Sequence, residues 1–520
     1  MGPAANARVD YDLLTTTSKR SLSISRLKIR KRVAMMGESE RSKMHVMSRD
    51  PPKFEESRAQ YSSENEVRTR QFLTPIAREL GIPSEIEANV RFSGSGDLPS
   101  VYAISEFAAA TIAAAGAAIG ELVATRFGVA QSIAVNRQLA SLWFGFSIRP
   151  VGWILAAPRD PITGDYATAD GWIRLHTNAP HHREAALSVL GVSADKSAVS
   201  RAVANWKADA LETAVVHNKG CAAAMRSSAA WSTHAQGESV NREPLVDARI
   251  TADSGVSALA STPDRPLRGV RVLDLTRVLA GPVATRFLAG FGADVLRVDP
   301  PTWDEPGVVP DVTLGKRCTR LDLHSPGDRD VLCDLLRSAD VLVHGYRSDA
   351  LDNLGFDGGT RRQIRPGLID VALDAYGWSG PWRHRRGFDS LVQMSAGIAD
   401  AGMRMLEKDR PTPLPVQALD HGTGYLMAAA VVRGLAQRIV TGQGFEARTS
   451  LARTAQLLIS GPAGRIAENL GHAAEESWSE RIEATDFGPA RRLRSPVTIN
   501  DTAMHWDRPA VKLGSSPPAW

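Results

Sequence analysis

The chain has 520 residues, a formal net charge of +5, and 43% hydrophobic and 23% charged residues. This length allows two or three domains with a large core, and the composition is ordinary for a soluble globular protein. Much of the basic excess lies in residues 19–32, so the net charge does not by itself indicate a nucleic-acid partner. The separated cysteines Cys221, Cys318 and Cys333 indicate neither a disulfide framework nor a zinc site, which is typical of a reducing cytoplasm.

The start of the chain differs in composition from the rest. Residues 1–65 are polar and basic without a sustained apolar period, which predicts disorder. An Arg- and Ser-rich start also allows a transit peptide, although residues 18–33 show no convincing amphipathic face. Residues 66–142 are mainly helical, and their most apolar run, 107–120, is shorter than the roughly 18 residues of a membrane span. We therefore expect a buried helix and no membrane partner.

Residues 152–248 combine turn residues, one clear strand signal and helical stretches. His176, His181 and His182 crowd together here, but no cysteine or acidic partner gives them zinc spacing, so the sequence does not indicate a metal site. Residues 249–266 are rich in Ser, Thr, Ala, Asp and Pro, which predicts a linker.

Strand and helix signals alternate over residues 268–376, which predicts an α/β fold with a doubly wound parallel sheet. Ligands bind at the carboxyl ends of such strands, so the loop at 276–282 after the first strand is a natural site. The loop lacks the G-x-G-x-x-G pattern, and dinucleotide binding is therefore not predicted. The five predicted strands are Val270–Leu275, Asp294–Val298, Thr319–Leu323, Asp340–Val343 and Leu368–Leu373.

Asp420 is the candidate catalytic carboxylate. It follows a short apolar run and precedes residues 425–440, which are rich in helix formers. The pattern places a carboxylate at a helix N-terminus, where unpaired N–H groups and the helix dipole favour negative charge. A purely structural role as the N-cap residue is the alternative, because Asp is common at that position.

An internal repeat accompanies this stretch. Residues 98–137 echo residues 414–453 at a constant offset of 316 without a gap. Under that alignment Asp420 falls on Ile104. We therefore expect that the first copy kept the helix and lost the carboxylate.

Several segments, in matching order, resemble motifs of the class III CoA-transferases (CaiB/BaiF type). The resemblance implies a Rossmann-like large domain, a smaller α/β domain, interlocked homodimers, and a nucleophile at Asp420. It also implies a cytoplasmic enzyme without a nucleic-acid partner. The matching segments are residues 266–301, 315–323, 339–356, 365–382, 385–398 and 418–424.

The resemblance also assigns a domain order that is unusual for the family. The chain resembles the rear of one transferase module, joined to the front of a second module. The expected parts are a helical degenerate repeat at 66–142, a small domain at 143–248, a CoA-binding large domain at 267–460 and a closing segment at 461–520.

CoA contacts are carried over by position from the family motifs. Two departures concern the phosphate contacts: Asn353 stands where well-known members have Arg, and Asp374 stands where some have Lys. Arg347 or Arg317 is the candidate substitute. The implied contacts are Val278, Leu279, Ala280, Leu314, Lys316, Gly345, Tyr346, Arg347 and Tyr376.

The resemblance implies an enzyme that moves CoA from an acyl-CoA to a carboxylic acid through an aspartyl-CoA thioester at Asp420. CoA and acyl-CoA are then substrates, and no tightly bound cofactor is expected. Backbone N–H groups around Gly422 and Gly424, or those of a neighbouring glycine-containing loop, are the candidate oxyanion donors. The alternatives are an inactive CoA-binding partner protein and an acyl-CoA racemase, which needs two bases. The family's racemases have a His where this chain has Phe388.

Overall fold

The computed structural model describes residues 53–157, 159–253, 261–465, 470–500 and 502–520. The prediction of disorder for residues 1–52 lies outside the described residues. For residues 53–65 the prediction is wrong, because a helix begins at Lys53. The stretch contains Glu, Arg, Gln and Ala, which are good helix formers, and a polar composition alone does not distinguish a surface helix from disorder.

The first segment consists of helices around a pair of parallel strands. The long helix α3 is buried over most of its length, as expected of a helix that is apolar on all sides. It is long and apolar enough to cross a membrane, but 94% of its apolar window is buried inside the protein. The elements are α1 (Lys53–Leu80), α2 (Ser84–Ala88), β1 (Val90–Ser93), α3 (Ile104–Phe127), β2 (Ile133–Asn136) and α4 (Arg137–Trp143).

A small α/β unit comes next, with an antiparallel sheet in the order β4-β5-β6. Its core consists of apolar residues such as Ile173, Val199 and Leu211. The elements are β3 (Ile148–Pro150), β4 (Gly164–Ala167), β5 (Trp172–Leu175), α5 (Pro180–Leu190), α6 (Lys196–Val203), α7 (Ala208–His217), β6 (Ala222–Ala224), α8 (Ser228–Thr233) and α9 (Ala235–Arg242).

The large sheet has seven strands in the order β10-β9-β8-β11-β12-β13-β7. Strands β8 to β13 are parallel in the doubly wound order 3-2-1-4-5-6, so the predicted fold class is confirmed. The elements are β7 (Asp247–Asp253), β8 (Arg271–Leu275), α10 (Ala280–Gly290), β9 (Asp294–Asp299), α11 (Val309–Val312), β10 (Lys316–Arg320), α12 (Pro326–Arg337), β11 (Val341–His344), α13 (Gly358–Ile364), β12 (Ile369–Asp374), α14 (Asp389–Ser395), α15 (Ile398–Met405), α16 (Ala418–Thr441), β13 (Gln443–Ser450) and α17 (Leu451–Ile459).

Strand β7 occupies the beginning of the predicted linker. It pairs antiparallel with β13 and covers what would otherwise be an open sheet edge. The linker prediction is therefore wrong for residues 249–253, where the polar composition concealed an edge strand. Residues 254–260 lie outside the described part of the chain.

The last segment returns to the first half of the chain. Strand β15 joins β14 to β3, and β16 pairs antiparallel with β2. The elements are β14 (Trp478–Thr485), β15 (Gly488–Leu493), β16 (Val497–Ile499) and β17 (Thr502–Ala503).

The repeat is present, but its register differs from the predicted one. Helices α3 and α16 both have 24 residues and end at left-handed glycines, Gly128 and Gly442. Asn136 and Ser450 each cap the helix that comes after them. These pairs give an offset of 314 rather than 316, so Asp420 corresponds to Glu106. The expected loss of the first carboxylate is wrong, because sparse identities in an Ala-rich helix did not fix the register.

The two repeated helices pack closely against each other at Gly422. A Cβ atom at Gly422 would lie 2.4 Å from a ring carbon of Phe107 on α3. Neither group has room to move, because Phe107 is itself packed against Phe72 and Phe144.

We predict that Gly422→Ala destabilises the protein, although Ala favours helix. Overpacking costs roughly 1–3 kcal/mol and exceeds the helix-propensity gain of about 1 kcal/mol. The matched control is Gly327→Ala in α12, where the nearest atom is the Ser325 hydroxyl at 4.0 Å and a small gain is expected. Urea unfolding of both variants tests this, and equal stabilisation of the two would contradict the close packing.

Candidate active site

A cavity of about 600 Å³ opens at the carboxyl ends of the parallel strands. It is lined by the loop after β8, by the loop after β11 and by Asp420. Strands β8 and β11 are neighbours at the point where the strand order reverses, which is the usual ligand crevice of a doubly wound sheet. His181 and His182 of the small unit also line the cavity. The first half of the chain (residues 53–253) and the second half (residues 261–520) therefore both contribute to its wall.

The loop after β8 is held rigidly by a buried carboxylate. Asp274 accepts hydrogen bonds from the Thr276 N–H at 3.0 Å, the Thr285 hydroxyl at 2.6 Å and the Lys316 ammonium at 3.0 Å. Val278 has a left-handed φ of 61°, which is unusual for a β-branched residue. Its N–H donates to Glu305 at 2.7 Å, and this bond helps to hold the strained loop against the cavity.

The structure brings only part of the predicted CoA contacts together. Val278, Leu279 and Ala280 line the cavity, as do the residues of 345–347. Three of the predicted contacts do not line it: Leu314, Lys316 and Tyr376.

Two of these three have a structural role. The Lys316 ammonium is fully buried against Asp274. Tyr376 is buried with its hydroxyl 3.2 Å from that of Ser395, and its ring contacts Arg385. A sequence motif therefore combined residues that line the site with residues that support it from behind.

Several cationic side chains line the cavity. Arg277 lies over the rings of Trp303 and Tyr346, at 4.5 Å and 4.7 Å from their centroids. Arg347 and Arg386 line the same wall.

Arg317, one of the two predicted substitutes, pairs with Asp294 at 2.8 Å and does not line the cavity. Arg277 and Arg386 were not singled out, although both lie inside motifs. Asn353 and Asp374, the two departures from the family pattern, also line the cavity.

Asp420 is not a helix cap. It is the third residue of α16, the N-cap position is Gln417, and no side chain there makes a capping bond. The helix N-terminus is bound instead by Asp389 of α14, whose carboxylate accepts the N–H groups of Leu419 at 2.9 Å and Asp420 at 3.0 Å. The Asp420 carboxylate itself accepts no hydrogen bond from the described residues; it lines the cavity and is 6% exposed.

The two carboxyl groups influence each other. Burial raises the pKa of Asp420 well above its ordinary value, and the charge of Asp389 raises it further. Burial raises the pKa of Asp389 to about 6 although N–H groups of Asp420 and Leu419 stabilise its charge. A desolvated carboxyl group without a partner is typical of a functional site.

The predicted oxyanion donors lie elsewhere. Gly422 and Gly424 are inside α16, where their N–H groups bond to the preceding helical turn. The faces of these glycines pack against Phe107 and against the Ala280 carbonyl and Val283. The prediction is wrong for these two glycines, which serve close packing of α16 against its neighbouring helices.

The small unit contributes a histidine that sequence reasoning did not place. His176 stacks on Phe388 with ring centroids 3.8 Å apart, and His182 meets the same ring edge-on at 5.9 Å. His182 lines the cavity and is 4% exposed, and its Nδ1 is buried without a partner. Burial and nearby cationic groups lower the pKa of His182 to about 3, so the imidazole is neutral. The sequence feature that could have indicated this position is the crowding of His182 with His176 and His181.

Comparison with known proteins identifies the class of this site. Residues 267–483 match the model of CoA-transferase family III. The acetyl-coenzyme A transferase nodX of Hypoxylon pulicicidum is 32% identical over 240 residues, covering 45% of this chain and 39% of the relative. A formyl-CoA:oxalate CoA-transferase of Rhodopseudomonas palustris (strain BisB18) is 32% identical over 246 residues, covering 44% and 55%.

The chain spans about half the length of the curated relatives it matches, or less. Among solved structures, Rv3272 from M. tuberculosis shares 30% identity over 37% of this chain and 56% of that protein, with a TM-score of 0.35.

The raised pKa of Asp420 predicts a pH-dependent effect of Asp420→Asn on stability. A carboxyl group whose folded pKa exceeds its unfolded value stabilises the fold while protonated, and this stability is lost as pH rises through the folded pKa. The variant cannot ionise there, so its free energy of unfolding relative to wild type should increase from about pH 4 upward, by about 1.4 kcal/mol for each pH unit until the folded pKa is reached.

Urea unfolding over a pH series measures this difference. Asp409→Asn is the control, because the Asp409 side chain is 89% exposed. A difference between wild type and Asp420→Asn that does not change with pH would show that the folded protein leaves the acidity of Asp420 unperturbed.

Proposed function

We propose that this chain transfers CoA from an acyl-CoA to a carboxylic acid, with Asp420 as nucleophile. The observation that carries the proposal is the Asp420 carboxylate itself, which lines a cavity at the sheet crevice and has no hydrogen-bond partner among the described residues. A carboxylate with a structural role would be bonded, as Asp389 and Asp274 are. The match of residues 267–483 to the model of CoA-transferase family III supports the same reaction class.

In the proposed reaction an Asp420 oxygen attacks the thioester carbonyl carbon, and the C–S bond breaks with the electron pair on the CoA thiolate. The product is an acyl-aspartyl anhydride. The thiolate then attacks the Asp420 carbonyl, which releases the first acid as a carboxylate and leaves an aspartyl-CoA thioester. The incoming carboxylate repeats both steps in reverse order, so that Asp420 is regenerated and a new acyl-CoA leaves.

The surroundings of Asp420 suit this reaction. Burial removes the water that would otherwise solvate the carboxylate, and the charge of Asp389 makes its ionised form more basic. Arg277, Arg347 and Arg386 supply positive charge on the cavity wall for the phosphates of CoA. The proposed substrates are an acyl-CoA and a free carboxylic acid as classes, and Asn353 in place of a basic residue shifts the phosphate contacts towards these three arginines.

His182 is the proposed donor to the oxyanion, in place of the two glycines. Its Nδ1 is buried without a partner, and a buried N–H without an acceptor is rare, which favours the proton on Nε2. The imidazole is neutral and lines the cavity with Asp420. A neutral imidazole N–H stabilises a developing oxyanion without adding a charge to the resting site.

We predict that Asp420→Asn abolishes CoA transfer while CoA binding and folding persist. Wild-type protein incubated with an acyl-CoA and then with hydroxylamine should carry a hydroxamate at Asp420, because an aspartyl anhydride or thioester reacts under mild conditions. Peptide mapping by mass spectrometry locates it, and Asp409→Asn, at an exposed side chain, should behave as wild type. Near-normal transfer by Asp420→Asn without deamidation would refute the role of the carboxylate.

A racemase is the second candidate. Phe388 stands at the sequence position where racemases of the family have a His, and the His182 ring lies against Phe388 and supplies an imidazole nearby. The pKa of about 3 makes His182 a weak proton acceptor, and Phe388 cannot exchange a proton. We therefore favour the transferase.

We predict no rapid α-proton exchange when the protein is incubated with a 2-methylacyl-CoA in heavy water. Mass analysis of the recovered thioester measures deuterium uptake, with His182→Gln as the matched variant. Uptake with inversion by the wild type, lost in His182→Gln, would identify a racemase that uses Asp420 and His182 as its two bases.

A further inference from the structure

We infer that the chain is an internal pair of related units that exchange their closing strands, so that one chain forms one complete site. In this pair Glu106 is the disabled counterpart of Asp420. The inference rests on the proposed function for the chemistry of Asp420, but its geometry is independent of that reaction.

The exchange of strands is seen in two sheets. Strand β7 comes after the small unit of the first half and pairs antiparallel with β13 of the second, with Ala248 opposite Ala447. Strand β16 comes after the second half and pairs antiparallel with β2 of the first, with Ile499 opposite Ile133. Ile133 and Ala447 are 314 residues apart, which is the offset of the repeat. Each closing strand therefore occupies the equivalent place on the other unit, as in a domain-swapped dimer.

The equivalent helices of the two units also meet. Phe107 of α3 fills the space beside Gly422 of α16, and Glu121 of α3 forms an ion pair with Arg433 of α16. The Phe144 ring, at the end of α4, stacks on His421 with centroids 5.1 Å apart. Contact between equivalent elements is expected at the axis of a two-fold pair.

The two equivalent carboxylates have opposite surroundings. Glu106 is 2% exposed, and its Oε1 lies 3.1 Å from both Arg68 and Arg137. Asp420 has no such partner and lines the cavity. Oε1 of Glu106 accepts a hydrogen bond from Arg68 and forms an ion pair with Arg137, and a carboxylate held by two guanidinium groups is a poor nucleophile.

One substitution between the copies accounts for much of this difference. Arg137 corresponds to Leu451 at the offset of 314, and Leu451 lines the same cavity as Asp420. The apolar side chain leaves the Asp420 carboxylate unpaired. Its counterpart Arg137 is buried and pairs with both Glu106 and Asp97.

The small unit completes the remaining site from the same chain. His181 and His182 line the cavity of Asp420, and Glu212 of the small unit pairs with Arg385 of the cavity wall at 2.8 Å. A second copy of the chain is therefore not required to supply this wall. A site completed within one chain differs from the homodimer that the family resemblance implies.

The test measures mass, stoichiometry and the position of the adduct on the full chain. We expect a monomer by light scattering that binds one CoA per chain by isothermal titration, at concentrations where no dimer is present. After incubation with an acyl-CoA, hydroxylamine should modify Asp420 and leave Glu106 unmodified. Two CoA molecules per chain, modification of Glu106, or CoA binding lost on dissociation to monomer would overturn the inference.

A substitution pair tests the role of residue 451. The arginine in Leu451→Arg should pair with Asp420, so this variant should lose the hydroxylamine adduct on Asp420. Its folding and its mass by light scattering should remain those of the wild type. Leu451→Met should retain the adduct. Transfer by Leu451→Arg at the wild-type rate would refute the explanation for Glu106.

The outcomes also separate the inference from the proposed function. A monomer that binds one CoA without any adduct on Asp420 would refute the transfer reaction and leave the internal pair intact. A chain that binds no CoA would overturn both.

Discussion

The hydrogen bonds that Asp389 accepts from the first turn of α16 are the interaction on which the site depends. They satisfy N–H groups that an N-terminal carboxylate would otherwise bind, at 2.9 Å and 3.0 Å. The Asp420 carboxylate therefore does not cap the helix, and it lines the cavity without a hydrogen-bond partner among the described residues. The same negative charge raises the pKa of Asp420, so one contact both orients the helix and tunes its functional group.

This arrangement needs a rigid base, which the packing of α3 against α16 supplies. Gly422 and Gly424 allow Phe107 and the backbone of α10 to approach α16 closely. Core packing at that density leaves few alternative positions for the helix, so the first turn and its carboxylate are held in place. The first half of the chain therefore serves the site in two ways: α3 packs against α16, and His182 lines the cavity.

The parts that sequence predicted are those fixed by local pattern. Apolar runs between helical stretches defined the parallel sheet, and Asp420 could be named as a candidate because its motif is contiguous. The third strand begins at Lys316, three residues before its prediction, because basic residues concealed its buried face. The sequence does not predict the hydrogen bonds to Asp389, the position of His182 or the edge strand β7, because each depends on a contact distant in sequence. The register of the repeat failed for a related reason, since only the capping residues at both helix ends fix it.

The contrast between Glu106 and Asp420 shows how similar folds separate stability from chemistry. A buried carboxylate is costly unless it is paired, and Arg68 and Arg137 pair Glu106. At Asp420 the cost remains, because Leu451 offers no charge and Asp389 adds repulsion. A group that is unfavourable in the resting protein gains most from reacting or from binding a ligand. The proposed chemistry therefore belongs to the unpaired carboxylate, whereas the paired Glu106 is part of the buried core.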